Sequence, residues 1–122
     1  MKGLQTISAV TLATADMDRA VAFYEALGLS CDKGGRGTDF TTFRVGKLAL
    51  NLIAETRGPI RWWGRVIFHV ADVDAVYRDV RAAGLAPDFA PSDAPWGERY
   101  FHITDPDGHE LSFATPLPSA GG

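Results

Sequence analysis

The chain has 122 residues, long enough for one domain that buries about two thirds of its unfolded surface without disulfides. With 46% hydrophobic and 22% charged residues it has the balance of a globular chain, which excludes disorder and fibrous repeats. A net charge of -3 with the signs interspersed provides no basic stripe for nucleic acid. No apolar run reaches the roughly 18 residues of a membrane span and no secretion signal opens the chain, so a cytoplasmic protein is expected.

Taken in order, Ile7 to Thr14 alternates and is rich in β-branched residues, which predicts a first strand. Asp16 can cap a helix over Met17 to Leu27, with Val21, Tyr24 and Leu27 at helical spacing and Gly28 as its left-handed stop. Ser30 to Gly37 ends in a glycine-rich turn; within it Cys31, the single cysteine, has no disulfide or zinc partner and reads as a small half-buried residue. Phe40 to Val45 and Leu48 to Ile53 flank Gly46-Lys47 as a hairpin. The first half therefore reads βαβββ over about residues 4–55.

After a linker at Glu55 to Pro59 the same order restarts with a strand at Arg65 to Val70. Asp72 caps a helix carrying Val73, Val76, Tyr77 and Val80, and Gly84 ends it. Asp16 and Asp72, like Gly28 and Gly84, stand 56 residues apart (72 - 16 and 84 - 28), the mark of an internal duplication. Ala86 to Ala90, Tyr100 to Thr104 and His109 to Thr115 are the remaining strands, the last two joined by the turn Asp105-Pro106-Asp107-Gly108, with a loose tail from Pro116. The second half covers about residues 62–116 within a single domain of residues 1–122. The expected fold is α+β, two βαβββ repeats forming a curved mixed sheet around a concave cleft, with the helices outside.

The run Asp16-Met17-Asp18-Arg19-Ala20-Val21-Ala22-Phe23-Tyr24, then Leu27-Gly28-Leu29 and finally Asp105-Pro106-Asp107-Gly108-His109, resembles the vicinal oxygen chelate superfamily of glyoxalases, bleomycin-resistance proteins and dioxygenases. The resemblance implies metal-ligand positions on the first and last strands of each half. They fall here on Ala9, Asn51, Arg65 and Ser112, none of which suits a divalent transition metal, so no metal and no cofactor are expected. Alternation places Ile67 and His69 beside Arg65, and Glu110 beside Ser112, on the cleft face. With His102 they leave open a relocated metal site of His69, His102 and Glu110, and with it a divergent superfamily enzyme of lyase, isomerase or dioxygenase type.

Metal-free members of the superfamily include antibiotic-binding proteins of the bleomycin-resistance type, which hold a drug in grooves between two subunits. Ala94-Pro95-Trp96-Gly97-Glu98-Arg99 resembles their Pro-Trp-Gly segment. Trp96 is read either as a stacking platform for a planar group or as packing for its own loop. Of Trp62 and Trp63, adjacent on an extended segment, one can join the cleft and the other an interface, or both can fill the junction between halves. Arg65 can engage a ligand carboxylate or phosphate, or make a salt bridge to Glu110. The expectation is a homodimeric protein that sequesters an antibiotic-like or other planar or anionic small molecule, contacted by Arg65, His69, Trp96, His102, Asn51, Glu110 and Ser112. No nucleic acid, no membrane and no catalytic residues are expected; a purely structural module would leave that face without a use.

Overall fold

The computed structural model describes residue 3 and residues 5–55 and 61–118. The chain divides after residue 58 into two compact units. Residues 56–60, which include most of the linker expected at Glu55 to Pro59, and the end of the tail from residue 119 lie outside the described residues.

The first unit runs β1 (Ala9–Thr14), α1 (Met17–Ala26), β2 (Ser30–Lys33), β3 (Phe40–Val45) and β4 (Leu48–Ala54). Its four strands stand in the order β1-β4-β3-β2, with β1 parallel to β4 and the other pairs antiparallel. The second unit repeats the order as β5 (Arg65–His69), α2 (Val73–Ala82), β6 (Ser92–Asp93), β7 (Glu98–Thr104) and β8 (Glu110–Pro116), in a sheet β5-β8-β7-β6. Each unit is thus a βαβββ module, and the fold is α+β.

Matching caps explain why the two helices begin and end at equivalent places. The Asp16 carboxylate accepts from the Arg19 amide at 3.0 Å and that of Asp72 from the Ala75 amide at 3.1 Å, each satisfying an otherwise orphaned donor of the first turn. At the other end the Leu29 amide reaches back to the Tyr24 carbonyl and the Leu85 amide to the Val80 carbonyl. That closure requires a left-handed residue between, supplied by Gly28 at φ +104° and Gly84 at φ +86°.

Alternation then gives each sheet one apolar face for its helix. In the first unit Leu12, Phe43, Leu50 and Leu52 are buried together with Val21 and Tyr24 of α1. In the second, Phe101 stacks on Phe113 at 5.2 Å and meets Tyr77 of α2 edge-on at 5.4 Å, among Ile103, Leu111, Val73 and Val80. The Thr115 hydroxyl fastens the start of α2, accepting from the Val73 amide and donating to the Val70 carbonyl.

Three expectations need correction. Ala86 to Ala90 forms no strand: Pro87 has no amide to give a ladder, and the segment makes one backbone bond to β7, from the Asp88 amide to the His102 carbonyl, beside the side-chain bond from the Thr104 hydroxyl to the Asp88 carboxylate. The strand paired there is the two-residue β6 further on. Cys31 is exposed, because β2 is an edge strand whose four residues all face solvent. The tail is held as far as Leu117, whose amide donates to the Gly97 carbonyl.

Candidate functional site

Period 2 leaves the second sheet with a face turned away from α2. Arg65, Ile67 and His69 of β5 share it with Glu110, Ser112 and Ala114 of β8 and with Glu98, Tyr100, His102 and Thr104 of β7. Register sets these residues in rows: Arg65, Glu110 and Thr104; then Ile67, Ser112 and His102; then His69, Ala114 and Tyr100. Six of the seven expected site residues lie on this face or, for Trp96, in the turn entering β7. Ser112 is buried at the centre of the face, and the seventh, Asn51, belongs to the first sheet.

Two carboxylates organise the face. Glu110 Oε2 accepts from Arg65 Nε at 2.5 Å and from the Trp62 indole at 3.2 Å, while Oε1 faces His102 Nδ1 at 3.5 Å. The guanidinium also lies over the Trp62 ring, 5.6 Å from its centroid. Burial pushes the Glu110 carboxyl up, but the bonds from Arg65 and Trp62 and the charges of His102 and Arg65 outweigh it and hold it below its usual value. For His102 burial is the leading effect and holds the imidazole below its usual range, although the Glu110 charge opposes it. Arg65 thus makes the internal salt bridge, one of its two expected uses.

Glu98 is the second carboxylate and was not among the expected site residues. Its Oε1 accepts from the Trp96 indole at 2.9 Å and its Oε2 meets His69 Nε2 at 3.2 Å. Trp96 rests against Tyr100 at 5.3 Å between ring centroids, Tyr100 against His102 at 5.2 Å, and Phe89 against both at 5.4 and 5.1 Å. Four rings therefore adjoin along one strand, and Trp96 is 64% and Phe89 37% exposed. Stepping by two from His102 identifies Tyr100 and Glu98 in the sequence; nothing in the sequence marks Phe89, which lies in the irregular segment after α2.

The adjacent tryptophans diverge as neighbours on an extended segment must. Trp62 turns to Glu110 on the open face, whereas the Trp63 indole donates to Nδ1 of the buried His109 at 2.9 Å. Both rings stay at least half exposed, so neither fills a core.

The residues at the superfamily's metal positions do not fit a divalent cation. The displacement of 56 equates Thr11 with Ile67 (67 - 11), and because Thr11 pairs with Asn51 and Ile67 with Ser112, Asn51 and Ser112 hold equivalent places. Ala9 has no donor, Arg65 carries a positive charge, and Asn51 is spent on hydrogen bonds to Thr42 and Thr11. The alternative ligands do not converge either, since His69 pairs with Glu98 while His102 faces Glu110. Among the described residues no group of three or more His, Cys, Asp or Glu is placed to hold a metal ion.

The sequence profile of the Glyoxalase/Bleomycin resistance protein/Dioxygenase superfamily matches residues 6–113. The chain belongs to that superfamily. Among sequences, an uncharacterized protein of Mycolicibacterium smegmatis is 34% identical over 113 residues, 91% of this chain and 94% of that one. Among solved structures of superfamily type, a bleomycin-binding protein complexed with bleomycin is 25% identical with a TM-score of 0.74, covering 92% of this chain and 98% of that one. A lactoylglutathione lyase from Agrobacterium tumefaciens also has a TM-score of 0.74, at 22% identity, covering 93% and 96% of the two chains. The superfamily fold therefore serves a binding protein and an enzyme alike, and only the side chains of the face can choose between them.

Proposed function

We propose that this chain is a small-molecule-binding protein that sequesters a planar aromatic ligand on the open face of its second sheet, with side chains and no bound metal. The observation that carries the reading is the row of Trp96, Tyr100, His102 and Phe89, ring against ring and partly exposed. Exposed aromatics at that density stabilise the free protein little and offer stacking surface to a flat molecule. The likeness to a bleomycin-binding protein supports binding without chemistry. The donor sets support the metal-free part, because an alanine and a guanidinium cannot ligate a cation.

Arg65 is committed to Glu110 and Trp62, which argues against the anionic ligand expected from its position alone. The expected homodimer is the competing use of this face, since a second copy would also cover Trp62, Ile67 and Trp96, each more than half exposed. No helix of the described residues is long and apolar enough to cross a membrane, and the cytoplasm remains the proposed location.

Calorimetric titration of planar heteroaromatic compounds into the wild type and Trp96→Ala tests the reading. Loss of the indole should weaken binding by about 0.5 to 1.5 kcal/mol beyond the area lost, whatever the ligand's charge. Unchanged affinity in a folded Trp96→Ala protein would mean that Trp96 only packs its own loop.

A further inference from the structure

The two carboxylates of the face are not electrically equivalent. Glu110 is matched by a permanent cation, the Arg65 guanidinium, and supported by the Trp62 indole. Among the described residues the Glu98 carboxylate meets an indole, which is neutral, and an imidazole, which carries no permanent charge. Its partners use one lone pair on each oxygen, and a carboxylate has about four acceptor sites, so capacity remains. The His69 side chain is 66% exposed, so a ligand can reach past it, whereas that of Glu98 is 24% exposed and starts from a backbone position set by β7.

Glu98 also stands at the edge of the stacking row. The indole it holds is the ring that meets Tyr100 at 5.3 Å, and Tyr100 follows two residues along the same strand. A flat molecule lying on Trp96 and Tyr100 would bring one edge to the Glu98 carboxylate. The other polar groups there do not favour an anion. Arg65 is engaged elsewhere, and His102, whose charged form burial disfavours, turns Nδ1 toward Glu110, so that in the neutral imidazole Nε2 is the acceptor.

Resting on the proposed stacking role of Trp96, we infer that Glu98 determines specificity and selects planar ligands whose edge carries a positive charge and N–H donors, such as amino-substituted heteroaromatic cations. The same carboxylate orients the Trp96 indole, so one side chain both positions the platform and reads the ligand's charge.

Calorimetry with two probes built on one ring system, the cation 9-aminoacridine and the anion acridine-9-carboxylate, tests this at pH 7.5. The wild type should bind the cation at least about tenfold more tightly, the low end for a hydrogen bond to a charged group. Glu98→Gln, which keeps the shape and an acceptor for the indole, should remove most of that preference and leave the anion unaffected. Raising sodium chloride should weaken the cation in the wild type alone, a readout that still decides if the variant fails to fold. Equal or tighter binding of the anion, or a preference that survives in Glu98→Gln, overturns the role of Glu98. If both probes bind and Trp96→Ala weakens both, the stacking reading stands in spite of that. Binding of neither probe, with light scattering giving a dimer, would assign the face to a second copy and overturn both.

Discussion

Glu110 shows why residue type alone left Arg65 open between two uses. Guanidinium at that strand position suits a ligand anion or an internal acid equally well, and strand register decides: Arg65 lies directly across from Glu110 in a parallel pair. The neighbouring His102 gives a prediction with a definite sign. Its folded-state proton affinity is lowered chiefly by burial, so the unfolded chain binds the proton more tightly. Stability should therefore be fully present above the ordinary histidine range and fall as pH drops through about 6.5. Glu110, lowered as well, adds a second loss below the ordinary carboxylate value of 4.5. Denaturant midpoints between pH 8 and 5 measure the first loss, which should shrink in His102→Gln. A flat profile there would show that His102 is not desolvated in the fold.

Among the elements, those with caps and strict alternation were legible in the sequence. The acid and the glycine at each helix end dictate local hydrogen bonds that no distant contact has to supply, and both helices lie where Asp16, Gly28, Asp72 and Gly84 place them. The region after Gly84 was not legible, because its place in the repeat calls for a strand while Pro87 denies it a ladder. Its position depends on the Asp88 amide bonding to β7, a contact across 14 residues (102 - 88) that composition does not encode. Gly84→Ala tests the local argument. A Cβ there would meet nothing within 4 Å, so the whole cost is the left-handed φ of +86°, about 1 kcal/mol. Urea denaturation should show that loss with an unchanged slope. A neutral result would mean that the Leu85 closure is formed without left-handed backbone.

For the whole molecule, the displacement of 56 residues links corresponding positions in two modules: Ala9 with Arg65, Thr11 with Ile67, and the two helix caps. The open faces have nonetheless diverged. The first sheet centres on a neutral chain of Thr42, Asn51 and Thr11, with the Arg44–Asp32 ion pair toward its edge, and the second centres on carboxylates with a cluster of adjoining rings. The superfamily and its βαβββ modules were legible because caps and turns are local. Glu98 and the ring cluster were not, because their meaning depends on which strands are neighbours. Binding of a planar ligand on the second sheet's face is read residue by residue from amide and side-chain NMR shifts during a 9-aminoacridine titration. Saturable changes should gather on Phe89, Trp96, Glu98, Tyr100 and His102 and leave Thr11, Thr42 and Asn51 in place. Changes confined to the first unit, or spread evenly over the chain, would contradict it.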